Sequence, residues 1–145
     1  MTKGVQTVRQ AAILRYFEQA DTGQFPADLF TDDFEFFVPK FGVGRGAKEF
    51  AEMAGGFGVT RISHPVEKLL FIENGGRVAV EGITEGTTAS GVEWAGGRTP
   101  AGRFATIFTF NGQGLIERMY VYADDDFEGD HSGGSRWNRG AAQVW

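Results

Sequence analysis

LFTDDFEFFVPKFGVGRGAKEFAE, residues 29–52, begins with an acidic turn and passes into an aromatic and β-branched run: Phe34, Phe36, Phe37 and Val38. It stops at Pro39, crosses a loop holding Gly42, Gly44 and Gly46, and resumes with helix-forming residues. That order predicts a strand, a loop and a helix. Phe34, Phe36 and Val38 share one parity, so the strand turns an almost wholly apolar face toward something large. A curved sheet enclosing a cavity meets that requirement, and the cavity is the expected seat of function.

Toward the N-terminus, Val8, Ala12, Ile13 or Leu14, Tyr16 and Phe17 recur at helical spacing, predicting an amphipathic helix over Val5 to Ala20 that ends at Asp21-Thr22-Gly23. A second, short helix is expected from Pro26, with Leu29 and Phe30 turned inward. A third covers Ala47 to Phe57, with Phe50, Met53, Ala54 and Phe57 on one side. Four strands follow: Ile62 to Glu73, Arg77 to Thr88, Arg103 to Asn111 and Leu115 to Ala123. Asn74-Gly75-Gly76 and Asn111-Gly112-Gln113-Gly114 are tight hairpin signals, so the four form an antiparallel meander. The connection from Ala89 to Gly102 exceeds what a hairpin needs and is expected to shape a cavity mouth. The result is one α+β domain over residues 1–124, a cone-shaped barrel of strongly bent, mainly antiparallel sheet around the N-terminal helix, with three helices in all. Residues 125–145 are a tail, capping the pocket or mobile, with Trp137 and Trp145 as anchors.

Composition narrows the function. The chain has 145 residues and a formal net charge of −5, without the basic stripe that a nucleic-acid partner requires. It has no cysteine, which removes disulfides and thiolate metal sites, and its two histidines are too few for a histidine-rich metal centre. No apolar run approaches the ~20 residues that span a bilayer, and the N-terminus lacks the apolar core of a signal peptide. A soluble, cytoplasmic protein is the expectation. Fourteen phenylalanines beside 22 glycines suit a bent sheet lined with rings around a space. GVGRG lacks the lysine and hydroxyl residue of a phosphate-binding loop, and Asp124-Asp125-Asp126 lacks the spacing of a calcium loop, so neither nucleotide nor metal is expected.

LFTDDFEFFVP, GRGAKEF and FTFNGQGLIERMYVYAD together resemble the nuclear transport factor 2-like superfamily, the α+β barrels that include SnoaL-type polyketide cyclases, ketosteroid isomerase, scytalone dehydratase and limonene epoxide hydrolase. The resemblance runs from Val5 to Asp124 and rests on fold motifs, since members of this superfamily also include non-catalytic binding and transport proteins. Matched to the isomerase pattern, the oxyanion-donating tyrosine falls on Tyr16. The general-base aspartate falls on Val38, and the protonated aspartate of a later strand falls on Thr106. The last-strand carboxylate of the cyclases and epoxide hydrolases falls on or near Val121, or on Tyr120 or Tyr122 if the register slips by one. Valine offers no proton chemistry, so a base must come from elsewhere.

His64 is the best alternative, because imidazole changes charge in the neutral range. It precedes Pro65 and shares the parity of Val66, Leu70 and Ile72, which aims it into the barrel if those residues face inward. The plainer reading is a strand-end histidine bonded to a carbonyl. Glu81 and Glu85 alternate with Val80, Gly82 and Thr84 and are expected on the outer face, paired with Arg103 or Arg118. A bulge would turn Glu85 inward, and Asp124 is the other carboxylate to consider. Catalytic candidates are therefore His64, Tyr16 and Thr106. Phe34, Phe36, Val38, Trp94, Phe108, Phe110, Met119 and Val121 are the expected ligand lining, with Trp94 and Arg98 placed to clamp a planar or acidic group. These residues predict a cofactor-independent isomerase, dehydratase, cyclase or lyase acting on a small hydrophobic or aromatic molecule. A non-catalytic module binding such a ligand is the alternative. Arg118, Tyr120 and Tyr122 predict a homodimer through the outer sheet face.

Overall fold

The computed structural model describes residues 6–133; the expected anchors Trp137 and Trp145, and Val5 at the start of the first helix, lie outside them. Helix α1, Val8–Ala20, is capped by Thr7, whose hydroxyl accepts the Gln10 N–H at 3.1 Å. The same hydroxyl donates to Glu73 at 2.7 Å, and Arg9 and Gln10 reach that carboxylate at 3.1 and 3.3 Å. The Thr7 hydrogen bond, aided by the charge of Arg9, holds the Glu73 carboxyl below the usual range. The helix stops where Gly23 takes φ +79° and returns its N–H to Ala20 at 3.0 Å.

Pro26 does not open an α-helix. A single 3-10 turn, Ala27–Leu29, precedes β1, Phe30–Val38, so the described chain holds two α-helices where three were expected. The acidic residues after Phe30 are not a turn either; they lie in β1, where its register against the last strand shifts between Phe30 and Glu35. Leaving only one turn before an extended run, the sequence cannot offset the cost of nucleating a helix. After β2, Gly42–Arg45, comes α2, Gly46–Gly55.

Two of the expected strands are each broken in two. His64-Pro65 divides the first into β3, Val59–Ser63, and β4, Leu70–Asn74, because proline fixes φ and supplies no ladder donor. Thr84 divides the second into β5, Arg77–Ile83, and β6, Glu85–Thr88; its N–H bonds the Gly102 carbonyl at 2.6 Å. With β7, Glu93–Ala95, β8, Arg103–Phe110, and β9, Ile116–Ala123, the strands form two sheets. The larger runs β2-β1-β9-β8-β5-β4 and the smaller β3-β6-β7. The expected antiparallel meander survives as β4-β5-β8-β9, and β9 then pairs in parallel with β1, with Phe36 beside Met119.

The concave face of this curved mixed sheet closes on α1. Ile13, Tyr16 and Phe17 meet Phe34, Phe36, Phe108 and Phe110 in one buried cluster. Gly44 leaves the space that the Phe36 ring fills, and Gly86 does the same beneath Trp94. No helix among the described residues is long and apolar enough to cross a membrane.

Candidate active site

A cavity of about 450 Å³ opens between α1, α2, the inner face of β8 and β9, and the chain after β9. Its walls are mostly apolar, including Phe17, Val38, Phe50, Met53, Met119 and Val121. Tyr16, His64 and Thr106 are its polar candidates, and all three line it. The β8 inner row explains how they come together. Phe104, Thr106 and Phe108 alternate inward over about 13 Å of strand. The His64 ring stands edge-on to Phe104 at 5.4 Å, and the Tyr16 ring edge-on to Phe108 at 6.0 Å. Thr106 therefore lies between them along the strand.

His64 is held more firmly than the sequence suggested. Asp21, the residue that ends α1, accepts the His64 main-chain N–H at 2.7 Å and meets its ring Nδ1 at 2.6 Å. The ring also lies 4.7 Å from Phe17. Nδ1 is thereby committed to the carboxylate, and among the described residues no protein group meets Nε2. Tyr16 is 7% exposed, and its hydroxyl has no hydrogen-bond partner among the described residues. Burial, aided by the charge of Asp21, pushes the phenol well above its ordinary range, so it stays protonated and acts as a donor.

Several expected positions are corrected. Phe34, Phe36, Phe108 and Phe110 belong to the solid core beneath the cavity and do not line it. Trp94 is not a rim residue: it is 2% exposed, donates from Nε1 to Thr84 at 3.0 Å, and lies tilted against the Phe127 ring with centroids 4.1 Å apart. The parity that aimed His64 inward also fails. Leu70 and Ile72 are 64% and 74% exposed, and His64 reaches the cavity because the chain turns at Pro65. Glu81 and Glu85 line a separate groove of about 780 Å³ outside the barrel, with Arg98 and Arg103, and make no ion pair among the described residues. Arg118 pairs instead with Glu35 at 3.8 Å and covers the Tyr120 ring at 3.5 Å.

Asp21 and Phe127 are the residues that the sequence reading missed. The signal for Asp21 was present: a carboxylate at a helix C-terminus opposes the helix dipole, and such a broken local rule points to a second task. Phe127 lies in a segment without periodicity and gave none. Asp124 and Asp125 reach the mouth of the cavity. Among the described residues, no three histidine or acidic side chains gather as a metal set.

Among solved structures, the chain resembles an NTF2-like protein from Anabaena variabilis, with 24% identity, 88% of this chain and 96% of that one covered, and a TM-score of 0.65. A polyketide cyclase candidate from Pseudomonas putida has 19% identity over 84% and 97% of the chains, with a TM-score of 0.67. TerC, co-crystallised with polyporic acid, has 20% identity over 81% and 92%, with a TM-score of 0.68. These likenesses establish a shared fold. No curated protein matches the chain. The pattern of the SnoaL-like domain matches residues 11–119, three quarters of the sequence, from within α1 to the middle of β9, and the chain belongs to that family within the NTF2-like superfamily.

Proposed function

We propose that this chain is a cofactor-independent acid–base catalyst acting on a small, largely apolar or aromatic carbonyl compound, by isomerisation, elimination or cyclisation. The observation that carries this reading is the Asp21 carboxylate, which takes both the main-chain N–H and Nδ1 of His64 and leaves Nε2 for the cavity. In the proposed reaction Nε2 removes a proton from carbon next to the carbonyl, the C–H electron pair forms the new C=C bond, and the carbonyl π pair moves onto the oxygen to give an enolate. Tyr16 donates a hydrogen bond to that oxygen without ionising, Thr106 offers a second donor, and Asp21 stabilises the imidazolium. Return of the proton to another carbon gives isomerisation; loss of a β-substituent gives elimination; attack of the enolate on a second carbonyl gives cyclisation.

Deuterium wash-in tests this directly. An enolisable bicyclic aromatic ketone such as a tetralone, followed by NMR in D₂O, should exchange its α-protons on the wild-type chain. His64→Ala should slow exchange by about 10²- to 10⁴-fold. Full exchange in that variant overturns the assignment of the base.

A second reading, a module that stores or delivers a hydrophobic ligand, is favoured by Val38 and Val121, which put apolar side chains where the resemblance places carboxylates. Tight binding of the ketone with no exchange above buffer would select it. Ile72, Ala79, Ile107, Tyr120 and Phe37 follow one another across five strands on the outer face, a row about 19 Å wide that supports homodimerisation there. Light scattering should return a dimer at micromolar concentration, and Ile107→Glu should return a monomer. A monomeric wild-type chain ends that proposal.

A further inference from the structure

One wall of the cavity is bonded unlike the others. Asp124 is tied to the barrel by its main chain: its N–H bonds the Arg103 carbonyl at 3.1 Å, and its carbonyl receives the Gly102 N–H at 3.2 Å. From Asp125 to His131 the main chain, among the described residues, bonds only to its own neighbourhood. Phe127 N–H reaches Asp125 at 2.7 Å, and Gly129 N–H reaches Asp126 at 2.9 Å. The Asp126 carboxylate accepts the N–H groups of Asp130 and His131 at 3.0 and 2.9 Å. The Asp126 N–H closes on the Asp124 carboxylate at 3.0 Å. A segment braced in this way holds together as a unit, and among the described residues its main-chain attachment to the barrel is at Asp124.

Among the described residues, side chains alone fasten the unit to the barrel. Asp125 pairs with Lys40 at 3.4 Å across the mouth, and Ser90 donates to Glu128 at 2.7 Å. Phe127 lies on Trp94, with Phe57 5.9 Å away, and contributes to the cavity wall. The Lys40 side chain is 72% exposed, so its ion pair is screened and weak. A wall that must exclude water during proton transfer, yet admit a ligand, fits this combination of internal bracing and light fastening.

We propose that Asp125–His131 is a lid hinged at Asp124, and that Phe127 is the ligand-contact residue it carries, closing an aromatic face over a planar apolar ligand. The proposal rests on the cavity being a small-molecule site, as both readings above have it, and not on the chemistry of His64.

The chain contains no cysteine, so Ser90→Cys with Glu128→Cys introduces its only two thiols, which a short bis-maleimide can bridge. Nile red, a neutral aromatic dye, serves as the probe in stopped-flow fluorescence. The bridged variant should take up and release the dye about tenfold or more slowly than the unbridged one, while Phe127→Ala should quicken both steps. Acrylamide quenching of Trp94, in a Trp137→Phe/Trp145→Phe background, reads lid opening without any ligand and should fall on bridging. Unchanged dye rates and unchanged quenching overturn the lid. Failure of the dye to bind the wild-type chain, with quenching that still falls on bridging, strikes the ligand site and leaves the lid standing.

Discussion

Phe108 and Phe127 are both aromatic neighbours of the candidate site, but only one of them is part of the barrel's framework. Phe108 is fully buried on β8, between hydrogen-bonded neighbours on β5 and β9, with the Tyr16 and Phe17 rings against it. Phe127 rests on Trp94 from a segment whose main chain bonds to itself. Thr106 shares the first kind of support, Tyr16 stands on α1 and His64 is pinned to the end of that helix by Asp21, whereas the mouth is closed by the second. A positioned base needs a fixed frame, whereas exchange of ligand needs a part that yields at little cost.

Removing each ring is the strongest way to break that contrast. Phe108→Ala should destabilise the chain by about 3–5 kcal/mol in urea unfolding, the scale for a buried ring whose cavity cannot collapse. Phe127→Ala should cost less than about 1.5 kcal/mol, the scale of an aromatic pair. Equal losses would mean that the segment after β9 belongs to the cooperative core. A smaller effect is expected at Asp21→Asn, which keeps the shape but no longer fixes the Nδ1 proton. Exchange of the test ketone should slow by about 10- to 100-fold, the scale for partners that orient a working imidazole, with the pH profile displaced and the melting temperature nearly kept. An unchanged pH profile would reduce Asp21 to a helix-end brace.

The smallest expected effect concerns the far end of α1. The Glu73 carboxyl is depressed by the Thr7 hydroxyl, so its stabilisation is fully present above the ordinary value of 4.5 and fades as pH falls through the lower, folded value. Glu73→Gln should lower stability slightly at neutral pH and leave it nearly unaltered below the folded value, which flattens the acid limb of the profile. Parallel acid limbs for the two chains would place the contact outside the framework.

What the sequence disclosed follows the same division. Phe34, Phe36 and Val38, or Thr106, Phe108 and Phe110, repeat every second residue because a regular ladder holds them, and period is visible in a sequence. His64 was reached through a parity that Leu70 and Ile72 contradict, since a turn at Pro65 aims it, and turns have no period. Asp21 pairs with a residue 43 positions away, a proximity that no local pattern encodes. Phe127 depends on Trp94 across a comparable gap. The candidate ligand lining was thus partly misread as well: rings abundant enough to suggest a cavity mostly became the solid floor beneath it.

The parallel pairing of β1 with β9 also sets an order of events in folding. β1 sits between β2 and β9 in the sheet, so Phe34 and Phe36 remain beside an open strand edge until Met119 and Tyr120 have been made. Contacts so distant in sequence form late and close a large loop, which slows the search for the native state. During synthesis the aromatic half of the core must wait for almost the whole domain to emerge from the ribosome. Over that interval the nascent chain offers an unpaired, phenylalanine-rich strand to its surroundings, and self-association before completion of β9 is the expected failure of truncated or stalled chains.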